Sequence, residues 1–196
     1  MSRQRLVLVC GHASCLKTSL SLAVAPRLAM NLLATYGLGS FNPTSPEKLA
    51  EDREVRYGHL FDLADAYLSH GLSLWVDGNF PRRAWRTAIL RLAERHHVSE
   101  VAVIHCFCSV PELLEERFRS RRADPAQPDA KADDISAYHG SVSQFEPLID
   151  VEFEGLADWE VLQYDSCRKS LGFRKPPGPL GSEIHRQMLA RGFLIA

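Results

Sequence analysis

An alternating apolar run, Arg5-Leu6-Val7-Leu8-Val9-Cys10, leads directly into Gly11-His12-Ala13-Ser14-Cys15-Leu16-Lys17-Thr18-Ser19 and then into the helix-compatible Leu20-Ser21-Leu22-Ala23-Val24-Ala25. A strand, a glycine-led bend and a helix in that order predict a phosphate-binding loop. Backbone N–H groups and the positive end of the helix would hold the anion, Lys17 would add charge, and Thr18 would offer its hydroxyl to a magnesium ion. The string alone is weak, because a relaxed form of it arises by chance in about one chain in ten of this length; the strand before it and the helix after it carry the reading. Leu16 stands where the pattern G-x-x-x-x-G-K-[ST] has its second glycine, so either its Cβ crowds the phosphate or its dihedrals are ones that glycine adopts more cheaply. Cys15 is a thiol beside a lysine at a helix N-terminus, a setting that lowers thiol pKa, or simply a small residue in a serine-like slot.

The remainder of the chain alternates strand and helix signals. Asn31 to Tyr36 is a short strand ended by Gly37-Leu38-Gly39, and a helix starts near Thr44-Ser45-Pro46-Glu47 and stops at Gly71. Leu72 to Val76 is a strand running into Asp77-Gly78-Asn79, and Pro81 opens a helix that carries Trp85, Ile89, Leu92 and Ala93. Val101 to Phe107 is the next strand, and Ser109-Val110-Pro111-Glu112 has the form of a capping box opening a helix through Arg122. Ala123 to Ala132 reads as a loop, followed by a helix near Asp134 to Phe145, a strand around Val161 to Tyr164 and a terminal helix through Arg191. The alternation predicts an α/β fold with a parallel sheet of about five strands, helices on both faces and a small helical lid near residues 110–145. At 196 residues, 45% apolar and 24% charged, the chain fits one domain.

Ligands of such sheets bind beyond the carboxyl ends of the strands, which gathers Gly11 to Thr18, Asp77 to Asn79 and the Cys108-Ser109 corner at one edge. Asp77 closes an apolar strand, where a carboxylate can order magnesium or take a proton from an attacking hydroxyl; alone, Asp77-Gly78 would be an ordinary turn. Arg117 and Arg121 lie one helical turn apart and could neutralise phosphoryl oxygens, or form a solvated face with Glu112, Glu115 and Glu116. Arg82, Arg83 and Arg86 could hold an anionic part of a second substrate or be the exposed face of the Trp85 helix. His105 falls on the opposite strand face from Cys106 and Cys108, so the run is read as buried strand residues rather than a metal site. Five cysteines without regular spacing argue against a disulfide framework and for a reducing, cytoplasmic setting. A net charge of −1 gives no global attraction to polymeric nucleic acid and leaves a short polynucleotide substrate open, and no apolar run reaches the length of a membrane span.

Taken together, Val9 to Ser14 with Lys17-Thr18, Arg56-Tyr57, Leu74 to Phe80 with Trp85-Arg86, and Cys108 to Arg121 resemble the small P-loop kinases labelled AAA-type ATPases or predicted kinases. These are relatives of polynucleotide 5'-kinase, chloramphenicol phosphotransferase and zeta toxins. The resemblance covers about residues 5 to 148. It implies transfer of the γ-phosphoryl group of ATP, with Mg2+, to a small-molecule hydroxyl, with Lys17 on the β and γ phosphates, Thr18 and Asp77 by the metal, and Arg117 and Arg121 acting from the lid. Leu16 and the Tyr36 position, where these kinases commonly place an aspartate, keep open a nucleotide- or partner-binding module without transfer; a polynucleotide end kinase is a third reading.

Overall fold

In the computed structural model, residues 3–35, 46–123, 135–156 and 158–195 are described. Six strands form one sheet: β1 (Arg5–Gly11), β2 (Asn31–Ala34), β3 (Leu74–Asp77), β4 (Glu100–Phe107), β5 (Trp159–Asp165) and β6 (Ser170–Phe173). Their order is β2-β3-β1-β4-β5-β6. The first five are parallel, and only β6 runs antiparallel, against β5. The expected five-stranded parallel sheet is therefore present, with one added edge strand. That strand escapes a pattern search because it has four residues, one of them Gly172.

Strand alternation divides the core in two. Val7, Val9, Trp75, Ala102 and Ile104 pack towards α1 (Lys17–Val24) and α6 (Pro179–Ala190). Leu6, Leu8, Leu74, Val76, Val101 and Val103 pack towards α2 (Pro46–Ser69) and α3 (Arg83–Arg95). Both faces are thus covered, as near-continuous apolar parallel strands require. Two further helices, α4 (Leu114–Ala123) and α5 (Ile135–Gln144), lie at the carboxyl edge of the sheet in the expected lid region. The Gly/Pro-rich stretch before α6 is explained by Glu160, whose buried carboxylate accepts the N–H groups of Gly178 and Gly181 and so caps that helix.

Three sequence expectations change. Ser109 does not cap a helix: its hydroxyl donates to Asp165, and a 3-10 turn over Pro111–Leu113 precedes α4. Asp165 is a charged acceptor for that hydroxyl, and it also receives the N–H groups of Cys167 and Arg168. The cysteines are not all free: Cys108 and Cys167 form a disulfide across Cα atoms 5.2 Å apart, whereas Cys10, Cys15 and Cys106 are free and buried. A 59-residue separation hides this pair from a spacing argument, and the β4–β5 pairing creates it. Arg86 neither faces solvent nor awaits a substrate, as its contacts below show. Among the described residues, no helix is long and apolar enough to cross a membrane.

Candidate phosphate-binding site

The loop between β1 and α1 is fixed to the sheet at its start. Gly11 N–H donates to Asn79 O at 3.0 Å and His12 N–H to Cys106 O at 3.1 Å. Gly11 has φ 123°, and a Cβ there would lie 2.0 Å from Cys106 O, so the leading glycine is required both by conformation and by the neighbouring strand. The next donor, Ala13 N–H, meets Ser141 Oγ of α5 at 3.1 Å. Ser14 and Leu16 both take positive φ, at 58° and 61°. Leu16, with ψ 17°, is the left-handed residue preceding α1 and has no side-chain cap bond. Of the two roles open for Leu16, the structure displays the conformational one: leucine adopts the left-handed backbone that glycine adopts more cheaply.

Past this point α1 begins, and the N–H groups of its first turn have no carbonyl of their own helix to meet. Lys17 is 8% exposed and its ammonium donates to His12 O across the loop. Thr18 and Ser19 are exposed at the same helix end. Asp77 ends β3 beside them and is 2% exposed. Burial raises its carboxyl pKa, opposed by the Lys17 charge and by hydrogen bonds from Thr18 and Ser21. Its Oδ2 is buried with no hydrogen-bond partner. Ser21 is held in turn by Trp75, whose indole N–H donates to its hydroxyl at 2.9 Å.

Arg117 reaches the same edge from α4. Its guanidinium donates to Ser14 O at 3.4 Å, Ser166 Oγ at 3.1 Å and Ser166 O at 2.7 Å, so it links the lid, the loop and the turn after β5. Arg121 belongs to α4, but its side chain lies outside the described residues, as do Tyr36 and Arg122's side chain. Arg82 pairs with Glu54, while the backbone N–H of Arg83 donates to Glu146 and its guanidinium stands 3.7 Å from Glu152. Arg86 is fully buried: it holds both oxygens of Glu152 at 2.8 and 3.0 Å and the carbonyls of Phe80 and Glu146 at 2.9 Å each. It fastens the chain beyond α5 to α3.

Sequence reasoning missed a ring cluster behind the loop. His12 stands edge-on to His105, Tyr138 and Phe145, while His105 stacks on Phe145 with centroids 4.7 Å apart. Burial pushes His12 down to about 4 and His105 to about 3, so both rings are neutral at neutral pH. The strand-face argument placed His105 correctly away from Cys106, but no local signal joins residues 12, 105 and 145.

A phosphate loop opening α1, an acidic end on the adjacent β3 and a lid arginine on one edge of a sheet with the phosphate-loop strand at its centre define a P-loop kinase fold. The family model for an AAA domain matches residues 6–145, and the chain belongs to that family. Among solved structures, a Chloroflexus aurantiacus protein provisionally described as a kinase superposes with a TM-score of 0.64 at 20% identity, covering 99% of this chain and 100% of its own. Kti12 from Chaetomium thermophilum, solved with ADP-AlF3, gives a TM-score of 0.58 at 16% identity, with 97% and 99% covered. A sugar kinase from Janibacter sp. HTCC2649 gives 0.56 at 20% identity, with 98% and 99% covered. No curated protein matches the chain.

Proposed function

We propose that this protein is an ATP-dependent phosphotransferase that moves the γ-phosphoryl group of ATP to a hydroxyl of a small molecule. The observation that carries the reading is the convergence of Lys17, Thr18 and the unpartnered Oδ2 of Asp77 at the N-terminus of α1. A buried carboxylate oxygen with no partner is costly unless a ligand completes it. The donor set of a carboxylate oxygen and a threonine hydroxyl is hard and oxygen-only, which suits Mg2+. Bound there, the ion would neutralise charge on the β and γ phosphate oxygens.

Lys17 would release His12 O and turn its ammonium to the same oxygens, while the loop N–H groups and the first turn of α1 hold the phosphates. Arg117, already within reach of Ser14 O, would add a guanidinium from the lid side. In the transfer, the bond from the γ-phosphorus to the β–γ bridging oxygen breaks, a bond to the acceptor oxygen forms, the acceptor proton leaves to solvent or a protein base, and ADP departs. Positioning and charge neutralisation supply most of the rate, so a residue missing at Tyr36 costs less than loss of the loop. The left-handed Leu16 favours a working loop over a degenerate one, since the backbone adopts a glycine-type conformation without the glycine.

A cytoplasmic setting, in keeping with the three free cysteines, would leave Cys108–Cys167 as a reducible pair.

Thermal unfolding with and without Mg-ATP tests the site. Ligand at about 100 times its dissociation constant adds about 2.7 kcal/mol, which at this size is roughly 5 to 10 °C. The shift is expected in the wild type and is expected to vanish in Lys17→Ala; no shift in the wild type overturns the proposal. ADP release on addition of sugars and other small hydroxyl compounds then separates a transferase from a binder.

A further inference from the structure

The turn between β5 and β6 joins the disulfide to the phosphate loop. Cys108 follows β4 directly and Cys167 lies in that turn, so the bond ties the turn to the end of the neighbouring strand. Ser166, beside Cys167, is fully buried. It accepts the Arg117 guanidinium twice, at Oγ over 3.1 Å and at O over 2.7 Å, and its hydroxyl also bonds to the Cys15 thiol of the loop. Arg117 carries the link on to Ser14 O at 3.4 Å. The turn has further fastenings that need no sulfur bond. Ser166 N–H donates to Phe107 O at 2.9 Å, and Asp165 accepts the N–H groups of Ser109, Cys167 and Arg168 and the Ser109 hydroxyl.

We infer that the Cys108–Cys167 bond is a redox control on the nucleotide site: the oxidised pair holds Ser166 where it positions Arg117 at the phosphate loop, and reduction weakens nucleotide binding. The inference rests on the proposed nucleotide site. Cys167 is partly exposed and Cys108 is buried, so the thiolate of a dithiol reductant attacks Cys167 Sγ. The S–S bond breaks, Cys108 leaves as a thiolate and takes up a proton, and Cys167 is held in a mixed disulfide. The second thiol of the reductant then displaces Cys167, which also leaves with a proton, and the reductant ends as a disulfide. Two electrons and two protons have passed to the protein. The turn keeps its hydrogen bonds but loses its covalent tie, so the arrangement in which Ser166 meets Arg117 becomes one of several, and apparent affinity falls with the fraction that retains it. Ser166 is thus a positioning residue that acts through Arg117.

The test titrates the full chain with fluorescent mant-ATP and Mg2+, with and without dithiothreitol. Thiol counting in denaturant fixes the two states, at three free thiols in the oxidised protein and five in the reduced one. Reduction is expected to weaken binding about fivefold, as it would if the turn kept its place about a fifth of the time. Cys108→Ser/Cys167→Ser is expected to bind like the reduced wild type and to ignore dithiothreitol. Arg117→Ala is expected to bind weakly and equally in both states, an outcome that a general loosening of the fold would not give. Thermal unfolding without nucleotide checks that the reduced protein is folded at the assay temperature. Should it be unfolded, Ser166→Ala carries the test with the disulfide intact: an affinity about threefold weaker supports the inference and wild-type affinity overturns it. Equal affinity in the oxidised and reduced wild type, or tighter binding on reduction, overturns the redox control and leaves the nucleotide site standing. The same fold loss on reducing Arg117→Ala overturns the route through Arg117. No binding by the wild type in either state removes the nucleotide site and the control together.

Discussion

A leucine held at φ 61° costs the loop roughly 1 to 2 kcal/mol against glycine, a strain that the surrounding fold must offset. Leu16 was legible in the sequence as a departure from the loop pattern, whereas its dihedral was not, because backbone conformation at one residue depends on what fixes the residues around it. Here Gly11 is bonded to the turn after β3 and His12 to β4, and α1 begins one residue after Leu16. Asp77 shows a related tension. Its carboxyl binds a proton more tightly in the folded state than in the unfolded chain, because burial outweighs Lys17, Thr18 and Ser21. The native state therefore loses stability as pH rises through that raised pKa and regains it as pH falls. Asp77→Asn, neutral throughout, is expected to melt a few degrees above wild type at neutral pH without ligand, with the gap closing on acidification. The same substitution is expected to abolish the thermal shift with Mg-ATP; a lower melting temperature at neutral pH would show that the carboxylate stabilises the fold.

At the scale of elements, periodic segments could be read and their fastenings could not. The helix burying Trp85 and Ile89 and the parallel strands were evident from residue spacing. Arg86 was read as exposed or substrate-facing because its partner, Glu152, lies 66 residues away on a 3-10 turn that has no period to detect. Its guanidinium ties α3 to the chain leaving α5. Removing one partner of a buried ion pair leaves the other uncompensated, so Arg86→Ala is expected to cost about 3 to 5 kcal/mol. That corresponds to roughly 10 °C or more in melting temperature. A change within 2 °C would show that Glu152 finds water or another donor. The Ser109 capping box failed for a similar reason: the local pattern was present, but Asp165 is a charged acceptor brought close by β5.

For the molecule as a whole, the sheet order places β1 between β3 and β4, which brings the phosphate loop, Asp77 and the β4 corner to one edge. This assembly was legible from the strand–helix alternation, since right-handed parallel connections leave few arrangements. The disulfide was not, for it depends on the pairing of β4 with β5. Reduction of Cys108–Cys167 is expected to lower stability by about 2 to 4 kcal/mol, read as a lower melting temperature in dithiothreitol that Cys108→Ser/Cys167→Ser reproduces without reductant. The bond also makes a covalent ring of residues 108 to 167, and α4 and α5 both lie inside it. A single protease cut between Cys108 and the start of β5 opens the ring without dividing the molecule. The nicked chain would migrate as one species on a non-reducing gel and as two fragments on a reducing one, with the phosphate loop on the first fragment and the last two strands on the second.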